Sequence, residues 1–144
     1  MGRKWSLTFV GGFVALSLLV SPVMTYGNQR EDVKEMLKRL EEDTNNFKKS
    51  LDSALDSSPL DGSKAEDEVN DYVDKFRDAS KRLSERYEDR KYAAGDANEV
   101  LVRARRIDTF MRRHTLNTES QNDWQTVRND LELLARTYSI RWKW

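Results

Sequence analysis

Apolar residues recur in alternating steps of three and four along most of the chain, and this spacing places them on one face of an α-helix. The first stripe consists of Val33, Leu37, Leu40, Thr44, Phe47, Leu51 and Ala54. The second consists of Ala65, Val69, Tyr72, Val73, Phe76, Leu83 and Tyr87. The third has Val100, Ala104, Ile107, Met111 and His114, and the fourth has Trp124, Val127, Leu131, Leu134 and Tyr138. The pattern predicts four amphipathic helices, the first from about residue 30 to residue 55.

Short breaks separate the four stripes. A proline and a glycine end the first stripe within residues 57–62, and Ser63 with Glu66 has the spacing of a capping box that opens the second helix. Short connections between long amphipathic helices favour antiparallel neighbours. We therefore expect an all-α, antiparallel up-down four-helix bundle made of two helical hairpins, over residues 28–138.

The boundaries of the last two helices are predicted from turn residues. Gly95 predicts the end of the second helix, and Asp96 with Glu99 has the spacing of a second capping box, which would open the third. The polar residues 115–122 predict a loop before the fourth helix.

The N-terminus has the pattern of an export signal. Arg3 and Lys4 precede an apolar run over residues 7–20, and small residues flank a cleavage position after Gly27. This pattern predicts a signal peptide over residues 1–27. An uncleaved anchor over residues 7–24 is the alternative, because that segment approaches the length needed to cross a bilayer, although Pro22 helps to end the apolar run.

The C-terminal tail, residues 139–144, alternates apolar and basic residues with the period of a strand. Two tryptophans at a free terminus are unfavourable in water, so we expect the tail to fold back onto the open end of the bundle. Docking on a partner or on a membrane interface is the alternative, in which Arg141 would support Trp142 and Trp144.

Composition narrows the classes of function. Without residues 1–27 the chain has 117 residues, with 23 Lys and Arg against 25 Asp and Glu, which is one domain of nearly balanced charge. This balance argues against a nucleic-acid partner. The chain has no cysteine, which excludes disulfides, thiol chemistry and cysteine metal sites. Since no nucleophile or phosphate-loop motif is present and there is one histidine, we expect no enzymatic activity.

Two possible cofactor sites can be weighed. Acidic residues cluster between Asp61 and Asp74, but they lack the spacing of a calcium loop and begin a helix, where the helix dipole stabilises acids. Met36 and His114 could ligate haem in some bundles, yet an up-down bundle places them about 25–30 Å apart. We therefore expect neither a metal nor a cofactor.

Basic residues concentrate on the third helix. The 100° step between successive helical residues predicts Arg105 with Arg112 on one outer flank and Arg106 with Arg113 on the other. A solvated helix face, paired with acids on neighbouring helices, is the plain explanation. The functional alternative is a docking surface for an anionic partner such as lipid headgroups or a surface glycan. With the tail residues, these arginines form the candidate partner surface.

One resemblance rests on most of the chain after residue 27. The residues that carry it are the run RIDTFMRR at 106–113, several short matches within 123–142, and the stretch 47–62. These segments resemble a group of small exported bacterial proteins to which no activity is assigned. The resemblance implies a location in the bacterial envelope and carries over no functional residue.

These observations predict a non-enzymatic exported protein of the bacterial cell envelope, in the periplasm or outside the cell, with a binding or structural role. Its partner would be an unknown envelope protein or an anionic surface ligand, and it would meet a membrane only if the N-terminal segment is retained. The alternatives are a bundle tethered by residues 7–24, and a periplasmic chaperone or an enzyme without a local motif.

Overall fold

Four helices make up most of the part of the chain that the computed structural model describes, which is residues 26–144, with side chains from Arg30 onward. The helices are α1 (Tyr26–Asp56), α2 (Lys64–Glu88), α3 (Ala94–Arg113) and α4 (Thr118–Thr137). No strand occurs within these residues. The predicted signal peptide and anchor lie almost entirely in residues 1–25, outside the described part. Among residues 26–144, no helix combines the length and the apolar character needed to cross a membrane.

Neighbouring helices run antiparallel. Along α1, Met36 meets Thr137 near the end of α4 and Phe47 meets Trp124 nearer its start. Near the end of α2, Arg86 meets Asp96 at the start of α3. The pairs α1–α4 and α2–α3 pack most closely, while α1–α2 and α3–α4 complete the ring. The predicted four-helix bundle is confirmed.

The apolar stripes meet along the axis of the bundle. At the centre, the buried Trp124 ring of α4 lies 5.0 Å from the Phe47 ring of α1 and 6.5 Å from the Phe76 ring of α2, measured between centroids. Tilted and edge-to-face aromatic contacts of this kind add to the free energy gained from burial. Three helices are thereby joined through one aromatic cluster.

The start of α2 matches the predicted capping box in part. The backbone N–H of Glu66 donates to the Ser63 hydroxyl at 3.2 Å, as a serine N-cap requires. The Glu66 carboxylate, however, accepts from the N–H of Gly62 at 2.6 Å, while the N–H of Ser63 donates to the carbonyl of Leu60. Gly62 has a φ of +68°, a conformation in which a side chain would be strained.

The predicted boundary between α2 and α3 is wrong. Helix α2 ends at Glu88, and Gly95 lies inside the first turn of α3. The turn is made by Arg90, whose φ is 58°, and α3 has no side-chain cap. Asp96 does not open α3, which begins two residues earlier, and its carboxylate pairs with the Arg86 guanidinium across the turn at 3.2 Å.

The predicted loop before α4 is too long. Helix α4 begins at Thr118, because the Asn117 side chain accepts from the N–H of Ser120 at 2.9 Å and caps it. Asparagine is among the best N-cap residues. Polar residues that were expected in a loop, from Thr118 to Asn122, are therefore the first turn of a helix.

The tail folds back, but not over the open end of the bundle. Tyr138 caps α4, and Ser139 reverses the chain with a φ of 54°. The N–H of Ile140 then donates to the carbonyl of Ala135 at 2.8 Å, which directs the remaining residues back along α4. The tail contacts Arg105 of α3 and Glu132 of α4, so it lies on the side of the bundle between these two helices, the pair that packs least closely.

Candidate functional site

Every second side chain of the tail faces the bundle. Ile140, Trp142 and Trp144 are half-buried against the core, whereas Arg141 and Lys143 are exposed. The Trp144 ring stands edge-on to Trp124 at 6.3 Å and to Trp142 at 5.2 Å. The strand-like alternation of the tail thus places its apolar face on the bundle.

Arginines and polar contacts hold the tail in place. The Arg105 guanidinium lies 4.3 Å from the centre of the Trp142 ring and donates to the carbonyl of Lys143 at 2.9 Å. The Arg128 guanidinium lies 4.5 Å from the centre of the Trp144 ring, whose N–H donates to Glu132 at 3.0 Å. Such cation–π contacts stabilise both partners. Trp142 and Trp144, predicted as partner-surface residues, are thus engaged within the chain.

Arg112 forms an ion pair with a buried carboxylate of its own helix. Asp108 is 1% exposed, and its Oδ1 accepts from the indole N–H of Trp124 at 3.1 Å. The guanidinium of Arg112 lies 2.9 Å from Asp108 Oδ2, and that of Arg128 lies 3.5 Å from Oδ1. A buried charge requires such partners. Arg112 is therefore part of an internal ion-pair network that sequence reasoning missed, although Asp108 stands four residues before it, next to the apolar stripe.

Three other arginines line one groove between α2 and α3, here called the arginine groove. Its α3 side consists of Arg105, Arg106, Thr109, Phe110, Arg113 and His114, and its α2 side consists of Ala65, Glu68 and Tyr72. The groove encloses about 300 Å³, the lower end of the range for small-molecule sites.

The charges in the arginine groove do not balance. The Arg106 guanidinium lies 5.6 Å from the centre of the Tyr72 ring, and the His114 ring packs on Phe110 with centroids 4.4 Å apart. Among the residues that the structure describes, neither Arg106 nor Arg113 has a carboxylate within ion-pair distance. Glu68, the one acid of the groove, lies 3.8 Å from Lys64. The groove is therefore positively charged.

This arrangement differs from the predicted division into two flanks. Arg105 shares the groove with Arg106 and Arg113, and Arg112 turns away to Asp108. The helical step places Cα atoms correctly, but a long arginine side chain reaches well beyond its own flank and goes where its partners are. Arg141 is exposed on the tail. The candidate surface thus separates into the arginine groove, Arg112 with its internal partner, and the tail residues.

A second charged cluster joins α1 to α4. The Arg39 Nε donates to Oδ1 of the buried Asp130 at 2.8 Å, and Asp130 Oδ2 has no partner within the described residues. Burial raises the pKa of the neighbouring Asp43 carboxyl to about 6; a hydrogen bond and repulsion from Asp130 act in the same direction, whereas Arg39 opposes them. When Asp43 is protonated, its hydroxyl can donate to the Asp130 carboxylate.

The haem distance expected from sequence agrees with the structure. The Met36 sulfur lies 3.8 Å from the Thr137 hydroxyl, at the C-terminal end of α4. His114 lies at the other end, where Gln121 donates to its carbonyl at 3.5 Å. Gln121 and Thr137 are about 24 Å apart along α4 at ~1.5 Å per residue, and this distance separates Met36 from His114. They cannot bind one iron.

Three carboxylates converge at the loop between α1 and α2. Oxygens of Asp56, Asp61 and Glu66 lie within 4.8 Å of one another. Glu66 already accepts from the N–H of Gly62, and Asp56 and Asp61 are exposed. Proximity of exposed acids alone does not indicate an ion.

Comparison of the chain with protein-family models, with curated proteins and with solved structures finds no match. Function must therefore be inferred from the geometry and charge of the arginine groove.

Proposed function

We propose that this protein is a non-enzymatic binding protein of the bacterial cell envelope and that it binds an anionic ligand in the arginine groove. The observation that carries the proposal is the pair Arg106 and Arg113, which lie at one groove without a carboxylate partner in the described part of the chain. Unpaired cations that converge on a concave surface repel one another, and an anion between them removes that repulsion.

The location supports the same proposal. The predicted signal peptide, residues 1–27, and the resemblance to small exported bacterial proteins both favour the envelope. Lipid headgroups and glycans make envelope surfaces anionic. Because the chain as a whole is nearly neutral, an anionic envelope surface binds the part of the protein that has a local surplus of positive charge. Helix α3 supplies that surplus, with five arginines against three acids.

The binding test uses two variants with the same loss of charge. Replacing Arg106 and Arg113 with glutamine removes the unpaired cations, and replacing Lys49 and Lys81 with glutamine is the matched control on α1 and α2. We expect the unaltered protein to bind vesicles that contain phosphatidylglycerol or a sulfated glycan in low salt. The groove variant loses at least about tenfold in affinity, because hydrogen bonds to charged groups are worth about 1.5–3 kcal/mol. Equal binding by all three proteins, or binding by none, contradicts the proposal.

The export step has a separate test. Residues 7–24 define the runner-up, a bundle tethered to the membrane, in which the same groove faces the bilayer surface. Fractionation with N-terminal sequencing distinguishes the two: a new terminus near residue 28 in the soluble fraction supports cleavage, whereas an intact Met1 in washed membranes supports the tether.

The chaperone alternative gains no support. A cradle-type chaperone requires a broad exposed apolar face. Among the residues that the structure describes, the large apolar side chains that are well exposed are Tyr92 and Val102. Failure to suppress aggregation of an unfolded client protein would remove this alternative.

A further inference from the structure

The charge and size of the arginine groove indicate a class of ligand. We infer that its ligand carries a phosphate monoester, either on a small soluble molecule or as the headgroup of a lipid. This inference rests on the proposed function, because it takes the groove as the binding site. It adds the identity of the charged group.

The charge of the groove matches a dianion. Arg106 and Arg113 supply two positive charges that have no carboxylate partner in the described part of the chain, and the one acid of the groove, Glu68, lies 3.8 Å from Lys64. Two positive charges remain. A phosphate monoester carries about −1.5 to −2 at pH 7, whereas a carboxylate or a phosphate diester carries about −1. The monoester therefore neutralises the groove most completely.

Two of the three arginines are held in position before any ligand binds. Arg106 lies over the Tyr72 ring, and Arg105 lies over the Trp142 ring, with one N–H committed to the carbonyl of Lys143. Guanidinium groups that are oriented in advance lose less side-chain entropy when they bind phosphate oxygens. The C-terminal tail is thus a positioning element for Arg105.

The remaining walls limit the size of the ligand. The groove of about 300 Å³ has apolar surface from Ala65, Tyr72 and Phe110 beside the cations. A body as small as a glycerol or a single sugar ring fits such a volume together with a phosphate. Tyr72 and Phe110 offer ring faces for it to pack against.

The experiment measures affinities of the exported protein by titration calorimetry in low salt. The probes are glycerol 3-phosphate as the monoester, dimethyl phosphate as the diester and acetate as the carboxylate. We expect the monoester to bind at least ~10-fold more tightly than either monoanion, because additional charge-assisted hydrogen bonds form. Arg106→Gln and Arg113→Gln should each lower that affinity ~10-fold or more, while Lys49→Gln should leave it within ~2-fold. Circular dichroism confirms that each variant retains its helices.

Vesicles distinguish the two sources of the phosphate. Phosphatidylcholine vesicles with phosphatidic acid present a monoester, and those with phosphatidylglycerol present a diester. Preference for phosphatidic acid without binding of glycerol 3-phosphate identifies a lipid ligand, and binding of both identifies the phosphate group itself as sufficient. If all anions bind equally and the Arg106 and Arg113 variants still lose binding, the ligand class is wrong and the proposed function stands. If the variants bind every probe as the unaltered protein does, or if no probe binds, both fail.

Discussion

Trp144 provides the most direct test of how the tail contributes to stability. Its ring contacts Trp124, Trp142 and the Arg128 guanidinium, and its N–H donates to Glu132. Replacing Trp144 with alanine removes all of these contacts while leaving the four helices unchanged in sequence. If the tail is an integral part of the bundle, the free energy of unfolding must fall.

The expected size of the effect follows from the burial of the ring. A half-buried tryptophan removes about 120 Å² of apolar surface from water, which corresponds to about 3 kcal/mol at ~25 cal/mol/Å². The edge-to-face contacts and the cation–π contact add a few tenths of a kcal/mol to about 1 kcal/mol each. The conformational entropy that the released terminal segment regains roughly offsets the contribution of these ring contacts and leaves most of the burial energy. We expect a net loss of about 2–3 kcal/mol.

Urea unfolding followed by circular dichroism measures this loss, and a thermal scan should show a melting temperature lower by roughly 8–12 °C. The matched control is Tyr92→Ala, because Tyr92 is 88% exposed and makes no comparable packing contact. The control should change the free energy of unfolding by less than about 0.5 kcal/mol. If Trp144→Ala is as stable as the control, the packing of the tail does not stabilise the bundle and its residues are again available for docking.

Three further variants test the buried charges and a cap. Because the pKa of Asp43 is raised to about 6, its stabilising contribution is present below the unfolded pKa of about 4 and is lost as pH rises through 6. The free energy of unfolding of Asp43→Asn, measured in urea, should therefore depend less on pH between about pH 4 and 6. At pH 7 the variant should be more stable by about 1 kcal/mol after solvent screening. Asp108→Ala should cost about 3 kcal/mol or more in urea unfolding, because the Trp124 N–H loses its buried acceptor and two guanidiniums lose their ion-pair partner. Ser63→Ala should cost about 1 kcal/mol in a thermal or urea scan, since it removes the side-chain cap of α2.

Each of these variants has a control of the same chemistry. Asp52→Asn removes a partly exposed ion pair within α1 and leaves Asp43 in place, so its unfolding should keep the pH dependence of the unaltered protein and show no large loss. Ser57→Ala removes an exposed hydroxyl that donates to the carbonyl of Ser53 at the end of α1, and it should be nearly neutral. A pH profile of Asp43→Asn that matches the unaltered protein, or losses in Asp108→Ala and Ser63→Ala no larger than those of the controls, would contradict the assignments.

Helix ends show where sequence reasoning succeeded and where it failed. Ser63 caps α2 as predicted because a serine N-cap depends on residues within one turn of it. Gly95 was assigned to a turn that Arg90 makes instead, and Asp96 pairs with Arg86 of the preceding helix. The pairing of Asp96 with Arg86 depends on two helices being close in space, which the spacing of residues along the chain does not reveal.

The candidate site was predicted in its composition but not in its arrangement. The arginines of α3 and the two tail tryptophans stand out in the sequence as an uneven charge distribution and an unusual terminus. The partners of these arginines cannot be recognised in the sequence. Arg112 pairs with a carboxylate that is buried against α4, and Arg105 donates to the backbone of the tail. Once these contacts are assigned, Arg106 and Arg113 are the arginines of α3 that line the groove with neither a carboxylate nor a tail contact among the described residues.

The sequence by itself determined that this chain forms four amphipathic helices and that its tail has one apolar face, because periodicity is a property of consecutive residues. The tertiary structure decided which charges are neutralised, which arginines share a groove and where the tail lies. Those outcomes depend on the register between α3 and its neighbours and on the reach of long side chains. The physical reason is that a guanidinium or carboxylate goes to the partner that compensates its charge, and that partner is brought near by packing rather than by position in the chain.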